Sequence, residues 1–428
     1  MDSPNQGRNP TAEAFADRLA IDGGTPVRSQ PLPGPWPGAW FFGEEEAQAV
    51  LEVVRAKSPF RHYGPNVLGK ARAFEKEFAA RMGTKYALGV TSGTAALTVA
   101  MVAVGVGPED EVIIPAFTFL ACPAAVVSLG AIPVVAEVDE SLTLDPEDVE
   151  RKITPRTKAV MPVHTAGVAA DMDRLLAVAR KHGVKVVEDC AQSCGATYRG
   201  RAIGSMGDAG AFSLQVNKVI TTGDGGVVTT SDATIYERAV RYHDLGLLRP
   251  QFECAPAGKA FFGTNYRMSE LTAAVARVQL RKLDSILSGM RRAKAAVVEA
   301  ISDLPKLRLR SAPDPAGDAS VDLAFYAPDA AAATRAAKAL SAENVSCGRP
   351  YDGKAVYEEC GEHFASWLRA RKAAGAPRPH QSYEPGLCPR TEMILRRALM
   401  ISIAPILSDD DVASIITGVR KVWRAVVS

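Results

Sequence analysis

The sequence predicts an α/β protein with a mostly parallel sheet between helices and a smaller α/β unit at the C-terminal end. Three observations predict it. From Lys85 onward, short apolar runs alternate with helical stretches, as in sheets covered on both faces. The 428-residue length exceeds what one small core serves. Hydroxyl, acidic and glycine residues fall at the ends of the apolar runs, where open parallel sheets bind ligands.

Taken in order, residues 1–25 read as an N-terminal tail or arm, 26–300 as the large domain and 301–428 as the small domain. The Pro-, Gly- and Trp-containing run Gln30–Trp40 suits an extended arm lying on another surface. Gly43–Ala56 has helical spacing after a Glu-rich start. Strands are expected at 86–91, 111–115, 132–138, 158–163 and 184–189. Helices are expected at 93–104, 122–129 and 172–182. Met268–Met290 reads as a long amphipathic helix leading to the second unit, which has helices near 330–343 and 409–426.

Composition narrows the function. Fifty basic residues against 48 acidic ones give no reason to expect nucleic acid as a partner. The seven cysteines are scattered and sit mostly in apolar contexts, as expected of reduced, buried thiols. Cys190 and Cys194 lack C-x-x-C spacing, so no metal is expected. The polar N-terminus has no apolar stretch of signal-peptide length, and no later segment has the length of a membrane span. The expected location is therefore cytoplasmic, with no membrane partner.

One segment carries the chemistry. It runs from Val187-Glu188-Asp189-Cys190-Ala191-Gln192 through Gly207-Asp208-Ala209-Gly210-Ala211-Phe212-Ser213 to Asn217-Lys218, and closes on Gly223-Asp224-Gly225-Gly226. An acid ends an apolar strand, a hydroxyl precedes a lysine by five positions, and glycines follow. Pyridoxal 5'-phosphate (PLP) requires such a set: an acid for the pyridine nitrogen, a phosphate ligand and a lysine for Schiff-base attachment. Upstream, Ser92-Gly93-Thr94-Ala95-Ala96-Leu97 is a strand-to-helix turn whose free N–H groups suit a phosphate. Each piece alone has a plainer reading. Ser-Gly-Thr is an ordinary N-cap, Asp189 a cap or ion-pair carboxylate, and Lys218 a solvated loop lysine. Their occurrence together favours the cofactor.

These motifs resemble the DegT/DnrJ/EryC1/StrS sugar aminotransferase family, a branch of fold-type I PLP enzymes. The resemblance also rests on Glu111–Phe119, Asp145–Asp148, Pro162-Val163-His164, Ala170–Asp173 and Gly263–Met268. It implies a seven-stranded sheet and PLP as cofactor. Lys218 takes the Schiff-base position and Asp189 that of the pyridine-nitrogen partner. Gly93, Thr94, Ala95 and Ser213 take the phosphate-binding turn, Phe119 the ring-stacking aromatic, and Gln192 the position beside the ring. Asn265 corresponds to a residue reaching the neighbouring subunit's phosphate, which implies a homodimer with composite sites. Tyr63 stands in a segment that often lines the substrate entrance. His164 is either a substrate contact or a strand-end histidine. Leu214-Gln215-Val216-Asn217 resembles the branch acting on cyclitol ketones of the scyllo-inosose type, while Asp224 replaces a more usual Glu.

The implied activity is transfer of an amino group from L-glutamine or L-glutamate to a keto-sugar or keto-cyclitol by a ping-pong mechanism, yielding an amino sugar or aminocyclitol. A PLP-dependent dehydratase and a non-catalytic regulatory homologue are the alternatives. Retention of Lys218 and Asp189 argues against both.

Overall fold

The computed structural model describes residues 18–252 and 258–427, so residues 1–17 of the expected tail and Cys254 lie outside the described part. The larger sheet contains β1 (Tyr86–Val90), β2 (Glu111–Pro115), β3 (Ile132–Ala136), β4 (Thr157–Val160) and β5 (Lys185–Asp189). After a small hairpin, β6 (Thr197–Tyr198) and β7 (Arg201–Ala202), come β8 (Ala209–Ser213) and β9 (Gly226–Thr230). Their order in space is β1-β9-β8-β5-β4-β2-β3. Only β9 runs against the others, because it pairs antiparallel with both β8 and β1. This is the seven-stranded, mostly parallel sheet that the family resemblance implied.

Alternation along the strands divides the core in two. Ile113, Val186 and Phe212 enter one apolar cluster with helices Lys70–Met82, Met172–His182 and Glu270–Ile301. Val112, Ile114 and Val187 enter the other, with helices Gly93–Ala103 and Ala233–His243. Both faces are therefore dry, which explains why β2 and β3 read as unbroken Val/Ile-rich runs.

Helix Glu270–Ile301 is 32 residues long, capped by Ser269 accepting from the Thr272 N–H, and runs well past the expected end at Met290. It delivers the chain to a three-stranded antiparallel sheet of β10 (Arg308–Leu309), β11 (Asp322–Tyr326) and β12 (Ala398–Ser402). Helices Ala330–Ala342 and Asp409–Val427 pack in this part of the chain. The sequence reading lacked β8, β9 and helix Lys70–Met82. The composition of β8, Ala-Gly-Ala-Phe-Ser, has little of the branched character that marks a strand.

The first described residues dock on the C-terminal part of the chain. The Ala20 and Val27 amides donate to the Glu343 carboxylate at 2.8 and 2.9 Å, and Arg28 pairs with Asp411 at 2.7 Å. The buried Glu343 needs donors, and this segment supplies them from either side of residue 25. The six described cysteines are buried and unbridged. Among the described residues, no helix is long and apolar enough to cross a membrane.

Candidate active site

A cleft of about 530 Å³ lies at the carboxyl ends of the parallel strands. The turn after β1, the end of β5, the end of β8 and the loop that follows β8 all reach it. Together with the loop after β2, these elements bring Gly93, Thr94, Phe119, Asp189, Gln192, Ser213 and Lys218 to one surface.

The helix beginning at Gly93 is capped by Ser92, whose hydroxyl accepts from the Ala95 N–H at 3.1 Å. That bond uses the Ala95 amide, and the Ala95 methyl is buried in the core, so Ala95 does not line the cleft. The first-turn amides of Gly93 and Thr94 have no intrahelical acceptor, because a helix leaves its leading N–H groups unpaired. Glycine is required at position 93: a Cβ there would lie 2.6 Å from the Ser213 Cβ. Likewise a Cβ on Gly226 would lie 2.2 Å from the Ser92 carbonyl oxygen. The turn and the β8–β9 hairpin close on each other, leaving a backbone cradle beside the Ser213 hydroxyl.

Asp189 ends β5 and is buried to 4% exposure. One carboxylate oxygen accepts from the Ala191 N–H at 2.9 Å, the other from the Cys122 thiol at 3.0 Å. Burial, then the Asp189 charge, push the Cys122 pKa well above the ordinary thiol value, so the thiol keeps its proton and donates. Lys218 is shifted the other way. Burial lowers its pKa, opposed by the negative charge of Asp189 and more weakly of Asp322.

The arm predicted at Gln30–Trp40 lies across this lysine. The Gly38 N–H donates to the Lys218 carbonyl at 3.2 Å, and Pro35 and Pro37 line the cleft. The arm is not extended throughout, since Ala39–Phe41 forms a turn of 3-10 helix.

Three more expected site residues stand elsewhere. His164 is completely buried, and its Nε2 lies 3.0 Å from Glu188. Its Nδ1 accepts from the Ala170 N–H at 3.1 Å, so the ring's proton is on Nε2 and faces the carboxylate. Both nitrogens are engaged away from the cleft, which excludes the substrate-contact reading. Glu188 also accepts from the amides of Gly204, Met206 and Gly207, so the cluster of His164, Glu188 and Cys190 is an internally satisfied network. Tyr63 is exposed, with its ring against Phe60 at 4.7 Å, and does not line the cleft. Asn265 is also exposed and outside it.

The structure adds residues that no sequence signal selected. Asp322 and Ser402 from the C-terminal sheet, and Tyr351, line the cleft. They come from three distant segments, and no local motif marks them.

The residues fit PLP. A backbone cradle with a hydroxyl beside it suits the phosphate, a carboxylate already holding two donors suits a protonated ring nitrogen, and a lysine of lowered pKa suits covalent attachment.

Comparisons with known proteins agree. The model of the DegT/DnrJ/EryC1/StrS aminotransferase family matches residues 42–420. An L-glutamine:2-deoxy-scyllo-inosose aminotransferase of Streptoalloteichus tenebrarius is 35% identical over 425 residues, covering 95% of this chain and 97% of its own. A GDP-perosamine synthase of Caulobacter vibrioides is 44% identical over 223 residues, 51% of this chain and 58% of its own. The crystal structure of 3-amino-5-hydroxybenzoic acid synthase matches with a TM-score of 0.79 at 27% identity, covering 93% of this chain and 100% of that one.

Proposed function

The chain belongs to the DegT/DnrJ/EryC1/StrS aminotransferase family, and we propose that it moves an amino group from L-glutamine to a keto-cyclitol, as a PLP enzyme of the cytoplasm. The observation that carries this reading is the meeting of Lys218 and Asp189 in one cleft beside the Gly93 cradle.

When bound, PLP supplies an electron sink for the charge left on the substrate's α-carbon. The chain's own residues do the rest. Lys218 Nζ would hold the cofactor and, once released as the free amine, would carry the proton from the donor's Cα to the cofactor carbon that had held the lysine nitrogen. Burial lowers its pKa, which favours the free amine that this work requires. Asp189 keeps a proton on the pyridine nitrogen, with Cys122 and Ala191 fixing its two oxygens. The Ser213 hydroxyl and the amides of Gly93 and Thr94 bind the phosphate. Phe119 covers the ring face, and Gln192 contacts its edge.

L-Glutamine as donor and a cyclitol ketone as acceptor follow the relative that this chain matches along almost its whole length. Retained Lys218 favours transamination over elimination. A homodimer with composite sites accounts for the exposure of Phe119, Trp36, Trp40, Phe42 and Phe262, an apolar set that a monomer would leave in water. It also accounts for Asn265 standing outside its own chain's cleft.

The test is the absorbance spectrum of the purified protein with PLP, before and after L-glutamine, for wild type and Lys218→Ala. Wild type should show visible absorbance that glutamine abolishes and scyllo-inosose restores, and Lys218→Ala should show neither change. A wild-type spectrum indifferent to glutamine and glutamate alike would overturn the reading.

A further inference from the structure

The C-terminal sheet brings a further carboxylate into the cleft, and none of the cofactor roles uses it. Asp322 opens β11 and stands directly opposite Ser402 of β12, so the two side chains share one face. The Ser402 hydroxyl donates to Asp322 Oδ1 at 2.7 Å. Among the described residues, the other carboxylate oxygen has no hydrogen bond or ion pair.

Besides Lys218, the cations that act on Asp322 electrostatically are committed elsewhere. Lys294 pairs with Asp318 at 2.5 Å. Arg310 donates to the carbonyls of Thr165 and Ala166 at 3.1 and 3.2 Å. A carboxylate kept for structure is ordinarily paired, because desolvating it alone is costly. Here one oxygen is left for something else.

Position and strain point the same way. A second cavity of about 520 Å³ shares Pro35, Gln192, Asp322, Tyr351 and Ser402 with the first, so this group stands where the two meet. Tyr351 has φ 45° and Asp352 φ 52°, in the left-handed region that costs a non-glycine residue about 1–3 kcal/mol. That backbone holds the Tyr351 ring at the junction, edge-on to Phe117 at 5.7 Å.

We infer that Asp322, Ser402 and Tyr351 form the acceptor subsite, selecting an uncharged polyol ketone; the inference rests on the aminotransferase reading and assigns the residues that choose its acceptor. The free Asp322 oxygen and the Ser402 hydroxyl accept hydrogen bonds from neighbouring ring hydroxyls, while the Tyr351 ring packs on the apolar C–H face of the cyclitol. The same carboxylate repels the donor's α-carboxylate and the diphosphate of a nucleotide-linked sugar. It also attracts the ammonium group of the aminated product. One negative side chain thus separates the donor's position from the acceptor's.

The test is calorimetric binding of scyllo-inositol, an unreactive polyol, to the PLP-loaded protein. The variants are Asp322→Asn and Ser402→Ala, with thermal melting to establish that each is folded. Wild type should bind the polyol. Asp322→Asn should weaken binding about tenfold or more, the scale of a lost charge-assisted hydrogen bond, and Ser402→Ala about threefold. The rate at which glutamine removes the visible absorbance should fall less than the acceptor step does. Failure of wild type to bind scyllo-inositol, or equal binding by folded variants, would overturn the inference. Asp322-dependent polyol binding without any amino transfer would instead overturn the aminotransferase reading and leave a polyol site.

Discussion

The two walls of the cleft are built by different rules. The cofactor wall comes from the ends of β5 and β8 and the turn after β1. Apart from Phe119 its groups fall in two sequence segments, 92–94 and 189–218, and two of its side chains are held by neighbours: Asp189 by Cys122 and Ala191, Ser92 by Ala95. The acceptor wall comes from residues 322, 351 and 402, joined only by β pairing and a strained turn, with one carboxylate oxygen left free. A fixed cofactor rewards a wall whose anchoring side chains are rigidly held. A substrate that must enter and leave needs groups satisfied only when it is bound.

If the cofactor wall is the chemical one, its changes should be large and should strike both half-reactions. Asp189→Asn removes the charge that holds the ring proton. We expect amino transfer to fall by about a hundredfold or more, the scale of a lost preorganised electrostatic contact. Single-turnover kinetics with glutamine and then with a polyol ketone would check this. A loss confined to the acceptor step would mean the walls have been assigned the wrong way round.

Gly93→Ala should have a smaller effect. The new Cβ meets Ser213 at 2.6 Å, an overpacking that costs about 1–3 kcal/mol. PLP affinity, measured by fluorescence titration of the cofactor-free protein, should weaken about tenfold while acceptor affinity is retained. Unchanged PLP affinity would show that the cradle is not the phosphate site.

The smallest expected effect is a shift in pH dependence. The free amine of Lys218 is the attaching form, so the rate of visible-absorbance development on adding PLP should rise with pH. Burial lowers the Lys218 pKa, so the midpoint should lie below the ordinary lysine value of 10.5. The negative charge of Asp189 opposes that lowering, so Asp189→Asn should move the midpoint lower still. A midpoint at the ordinary value, measured by stopped-flow absorbance, would mean that solvent reaches the lysine freely.

Glu188 and Asp189 show how far the sequence could be read. Both are acids at the end of one apolar strand, and alternation sends them to opposite faces. The five-residue spacing from Ser213 to Lys218 and the family resemblance select Asp189 for the cleft. What the sequence did not show is that Glu188 faces the other way, into a pocket where His164 and three backbone amides saturate it. His164 was therefore readable as a strand-end residue but not as a member of a buried pair, because its partner lies 24 positions away.

By itself the sequence determined five of the sheet's seven strands, its parallel character and the residues expected on the cofactor wall. Strand burial on two faces writes unbroken apolar runs, and a helix N-terminus that receives phosphate writes Gly beside a hydroxyl. Tertiary structure alone decided the acceptor wall, the placement of residues 35–38 over Lys218, and the docking of residues 20–28 on Glu343. Those contacts join residues up to 323 positions apart. No local periodicity or capping rule encodes such a pairing. It follows from which apolar faces pack together and which buried carboxylates then find donors.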